Sequence, residues 1–106
     1  MRRTGFTRTA RTQLAHEFDY SADRFGASAT RRLLAVFERL WTEIASSPEL
    51  GRRIGEGRYR RVLPRERLVV LYRWNGGTSE DPIVVAVYSR RDPTEATLRR
   101  WFADRR

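Results

Sequence analysis

A chain of 106 residues with 40% hydrophobic content, three Trp, four Tyr and five Phe can fill one hydrophobic core, and it reads as a single domain over residues 1–106. All 22 basic residues are Arg and the net charge is +9, which favours a nucleic acid, an anionic surface or an acidic chain as partner. No Cys is present and His16 is the only histidine, which excludes disulfides, thiolate metal sites and multi-histidine clusters, so neither a metal nor a cofactor is expected.

Residues 3–9 alternate weakly around Phe6 and predict a short first strand. Thr9 then offers an oxygen for a helix N-cap, and Ala10, Leu14, Phe18, Ala22 and Phe25 form one apolar stripe at helical spacing. Gly26 ends that helix, and a second starts near Ser28 with Leu33, Val36, Phe37, Leu40, Trp41 and Ile44 on its apolar face. A connection this short predicts a tight antiparallel helical hairpin, closed by Ser46-Ser47-Pro48. Pro48 to Gly51 reads as a crossing, and Gly55 and Gly57 as a pliable loop.

Strands are expected at 58–63, 67–74 and 82–89. Leu68-Val69-Val70-Leu71-Tyr72 is apolar at five successive positions, the pattern of a central strand buried on both faces. Asp92-Pro93-Thr94-Glu95 predicts a helix start with Asp92 as cap and Pro93 first, followed by Leu98, Trp101 and Phe102 on one face. The expected fold class is α+β: an N-terminal strand, then a helical hairpin packed on a mostly antiparallel sheet (β-α-α-β-β-β), with a short C-terminal helix. No apolar run approaches the ~20 residues of a membrane span. The first residues also lack the apolar segment of a secretory signal, so a cytoplasmic location without membrane contact is expected.

Between Arg52 and Arg73 lie eight arginines, opposed only by Glu56 and Glu66. The strand-forming runs among them hold these guanidinium groups on a folded sheet, where each can grip phosphate or carboxylate with a two-pronged fork. The candidates for target or partner binding are Arg58, Arg60, Arg61, Arg73, Arg90 and Arg91.

The element order resembles the RelE/ParE superfamily of toxins from bacterial type II toxin–antitoxin systems. So do four local patterns: Arg24-Phe25-Gly26-Ala27-Ser28-Ala29, Ser47-Pro48-Glu49-Leu50-Gly51-Arg52, Arg58-Tyr59-Arg60-Arg61-Val62 with Val70-Leu71-Tyr72-Arg73, and Val87-Tyr88-Ser89-Arg90-Arg91-Asp92-Pro93. The resemblance spans roughly residues 6–95. It implies a growth-arresting toxin, of a kind associated with plasmid stabilisation, held silent by a cognate acidic antitoxin.

Two mechanisms divide that superfamily. ParE-like members poison DNA gyrase by binding, and the Arg-Arg-Asp-Pro ending and the Pro-x-x-Gly-Arg crossing resemble theirs. RelE-like members are messenger-RNA endonucleases acting on the ribosome. Here Val69 or Val70 stands where an arginine before the strand tyrosine would help, and no Tyr or His follows Tyr88. Arginine is a poor general acid or base, so RNA cleavage would have to draw on Tyr59, Tyr72, Tyr88 or Glu66. The expectation is a ParE-like toxin that binds gyrase. The alternatives are a RelE-like ribonuclease engaging ribosome and messenger RNA, or a non-toxic basic binding domain of the same fold.

Overall fold

A computed structural model describes residues 1–89 and 91–105. A five-stranded sheet of order β1-β5-β4-β3-β2 carries a helix on each face. Strand β1 (Gly5–Phe6) pairs in parallel with β5 (Ile83–Ser89), and every other pairing is antiparallel, so the sheet is mixed.

Helix α1 runs from Arg8 to Ser46. Its cap is Thr7, two residues earlier than expected, with Oγ1 accepting from the Ala10 amide at 3.2 Å. Thr9 lies inside the helix and its hydroxyl donates to Asp104 Oδ2 at 3.1 Å. The expected pair of helices joined by a short connection is corrected to one long helix, whose backbone leaves helical values only at Gly26 (φ 87°, ψ −178°). Such a φ strains any residue carrying a Cβ, so the bend falls on the glycine. Thr30 Oγ1 donates to the Gly26 carbonyl at 2.9 Å, and the buried Ser21 Oγ lies 3.2 Å from Thr30 Oγ1. In a straight helix Phe18 and Phe37 would stand about 28 Å apart. Their ring centroids are 5.7 Å apart, so the bend turns one arm of α1 back against the other.

Phe37, Leu40 and Ile44 of the second arm join Ala10 of the first in covering Leu68, Val70, Tyr72, Val84 and Val87. Leu14 and Phe18 pack at the margin of this layer, whereas Phe25 at the end of the expected stripe is 65% exposed. The last turn of α1 has no basic residue of its own. Arg2 supplies one from the other end of the chain, donating to the carbonyls of Ala45 and Ser46 at 2.8 and 2.9 Å. Backbone oxygens left without an intrahelical partner are thereby satisfied by a cation.

After a 3₁₀ turn at Pro48–Leu50 comes strand β2 (Arg52–Gly55), where a loop was expected. It forms a hairpin with β3 (Arg58–Leu63) through Gly57, whose φ of 66° suits a tight turn. Strand β4 (Leu68–Arg73) sits between β3 and β5 and is buried at its first five positions, as its unbroken apolar run predicts. Helix α2 (Glu95–Ala103) lays Leu98, Trp101 and Phe102 on the opposite face of the sheet, against Val69, Leu71, Val85 and Ala86. Its cap is Thr94, accepting from the Thr97 amide at 3.2 Å, rather than Asp92; Pro93 precedes the helix instead of opening it.

Candidate functional site

Strand alternation and cross-strand register sort the arginines onto two faces. On β3, Tyr59, Arg61 and Leu63 pair with Tyr72, Val70 and Leu68, so they share the α1 face. Arg58, Arg60 and Val62 pair with Arg73, Leu71 and Val69 on the α2 face. Arg52 of β2 stands directly opposite Arg60 and extends that second row, while Arg53 is opposite Tyr59. Arg52 was missed as a site residue because its segment reads as a loop. The usable signal was the Gly55-Glu56-Gly57 turn between two short basic runs.

Several of the expected binding arginines already have internal partners. Arg61 forms an ion pair with Glu43 of α1 at 2.8 Å. Arg73 donates to the carbonyls of Phe102 (3.2 Å) and Asp104, closing the C-terminus of α2. Arg58 lies 4.8 Å above the Phe102 ring, and the Arg60 guanidinium acts on the Tyr88 hydroxyl, lowering its pKa. Arg91 is exposed, and its amide donates to the Ser89 carbonyl at 2.8 Å. Arg90 lies outside the described residues.

The tyrosines and Glu66 are dispersed. Tyr72 is fully buried, donates to the Pro48 carbonyl and stacks on Tyr59 with centroids 5.3 Å apart. Burial pushes its pKa up to about 12, with the Gly51 backbone and the Arg61 charge pulling the other way. Tyr88 is partly buried on the α2 side beside Trp101, its ring centroid 5.6 Å away. Its pKa is also raised by burial, opposed by Arg60 and reinforced by Asp92. Glu66 belongs to the turn between β3 and β4, where it lines a separate groove. That groove, about 1010 Å³, runs between this turn and α1 near Gly26, with Tyr20, Phe25, Arg32, Arg65 and Arg67 along it. Burial there also raises the pKa of Glu17, with His16 lowering it.

The alkaline limb of stability should report on Tyr72. Its folded pKa, about 12, lies above the ordinary value of 10.0, so folding favours the neutral phenol. This contribution is complete below about pH 10 and is lost as pH rises towards 12. The Tyr72→Phe variant should lose less stability than the parent over that window in urea unfolding. An identical pH dependence would mean that Tyr72 ionises as easily folded as unfolded.

Among the described residues no group of three or more His, Cys, Asp or Glu could hold a metal ion, and no helix is long and apolar enough to cross a membrane. Comparison with curated proteins finds no match. The family model for the ParE toxin of the type II toxin–antitoxin system parDE matches residues 5–93, from β1 to the approach to α2. With the whole sheet and all of α1 inside that match, the chain belongs to the ParE toxin family of the RelE/ParE superfamily, whose members are toxins paired with an antitoxin.

Proposed function

We propose that this toxin acts in the cytoplasm by binding and inhibiting DNA gyrase, and that a cognate acidic antitoxin neutralises it. The observation carrying this reading is the dispersal of the acid–base candidates. Tyr59 and Tyr72 are on one face, Tyr88 is on the other, and Glu66 is in a turn, while the sheet presents arginines. Cleavage of RNA requires a proton acceptor and a proton donor around one phosphate, whereas inhibition by binding requires neither. The groove beside α1 suits the antitoxin, since exposed Tyr20 and Phe25 offer apolar contact and Arg32, Arg65 and Arg67 offer charge to an acidic segment that orders on binding.

One observation favours the ribonuclease as a second reading: Tyr88 has Arg60 at its hydroxyl, a phenol beside a cation that could stabilise a phosphorane. The two readings separate on Tyr88→Phe. Growth arrest and loss of gyrase supercoiling should persist in this variant, with DNA synthesis falling before translation on induction. A drop of about 100-fold in ribosome-bound messenger-RNA cleavage, the scale of one general acid or base, would instead establish the nuclease.

A further inference from the structure

Arg52, Arg58 and Arg60 form one row on the α2 face of β2 and β3. Among the described residues the one ion pair is Arg61 with Glu43, and no described carboxylate pairs with these three. Arg52 and Arg60 are directly cross-strand, which brings two like charges to about 5 Å at Cβ, an arrangement that destabilises a sheet. Arg58 and Arg60 are two positions apart on one strand and project from the same face, about 7 Å along it. The rim of this face is aromatic, with Tyr88 and Trp101 both partly exposed. Helix α2 covers β4 and β5 and meets this row only where Phe102 lies under Arg58, leaving Arg52 exposed at its outer end.

We propose that Arg52, Arg58 and Arg60 form a phosphodiester-binding surface by which the toxin holds a nucleic-acid backbone. Two guanidinium forks converging from neighbouring strands can clasp the non-bridging oxygens of one phosphate. Arg58, one side-chain repeat further along β3, is placed for the next phosphate. The bound anion relieves the Arg52–Arg60 repulsion that the protein alone leaves uncompensated. A carboxylate offers a planar pair of oxygens to a single fork, so it fits a converging pair less well than a tetrahedral phosphate. Aromatic edges beside the row suit sugar and base contact. The contacts are to the backbone, so no sequence preference is expected. The surface is on the α2 face, apart from the groove assigned to the antitoxin, and it stands whether or not gyrase is the target.

The test is fluorescence anisotropy with the full chain and two labelled probes of ~16 nucleotides, one duplex DNA and one single-stranded RNA. The double variant Arg52→Gln/Arg60→Gln should bind at least one probe on the order of 10-fold more weakly, with the slope of log affinity against log salt reduced by about two. Arg31→Gln/Arg39→Gln removes the same charge from exposed positions of α1, and both its affinity and its slope should stay near those of the parent. Circular dichroism on each variant confirms the fold before binding is read. Which probe responds distinguishes a DNA from an RNA backbone. Equal losses in the two double variants would reduce the effect to net charge and overturn the site. So would a parent that binds neither probe, or one from which a polyglutamate peptide of equal charge displaces the probe as well as unlabelled nucleic acid does.

Discussion

Replacing Phe37 with alanine should cost about 3–5 kcal/mol, the range for emptying a fully buried aromatic site. Phe37 is 0% exposed and joins three parts of the molecule. It meets Phe18 edge-on across the bend of α1, stacks on Trp41 with centroids 5.2 Å apart, and belongs to the layer that covers β4 and β5. Such aromatic pairs add about 0.5–1.5 kcal/mol beyond area burial, so the loss should fall near the upper end. A domain of this size has about 5–15 kcal/mol of stability in total, so the variant should approach unfolding at growth temperature. Phe25→Ala is the control: at 65% exposure it should change stability by less than ~0.5 kcal/mol. Urea unfolding of both variants settles the matter. A loss below ~1 kcal/mol for Phe37→Ala would show that the two arms of α1 do not share a core with the sheet.

Gly51→Ala should cost about 2–3 kcal/mol for a different reason. The chain leaves the 3₁₀ turn directly over the Tyr72 ring, where a Cβ on residue 51 would overlap the Tyr72 hydroxyl and lie 3.0 Å from Cζ. Tyr72 cannot swing aside, being fully buried, stacked on Tyr59 and bonded to the Pro48 carbonyl. Tyr72→Phe alone should cost about 1–3 kcal/mol by leaving that carbonyl unpaired. Combined, the two changes should cost less than their sum by more than ~1 kcal/mol, because removing the hydroxyl makes room for the new methyl. Strict additivity in chemical unfolding would show that the backbone moves instead. The same contact bears on function. A phenol locked beneath the chain by its own hydrogen bond is poorly placed to exchange protons with a substrate.

The arginine-rich composition, the buried central strand at residues 68–72 and the apolar faces of α1 and α2 were legible from residue types and their periods. So was the relationship to toxins, carried by short patterns whose order and spacing are written along the chain. Within one strand, alternation also shows that Arg60 and Arg61 point to opposite faces. Alternation could not show what covers each face, or which residue of another strand stands opposite. The Arg61–Glu43 pair, Arg73 at the end of α2, and Arg2 over the last carbonyls of α1 join positions far apart in sequence, and no local pattern encodes such partners. Strand β2 was hidden because its glycines read as a loop until β3 supplied the hydrogen bonds that make it a strand. Local periodicity determined which residues are apolar, charged or turn-forming. Only tertiary packing decided which charges are neutralised at home and which, like Arg52 and Arg60, are left facing out together.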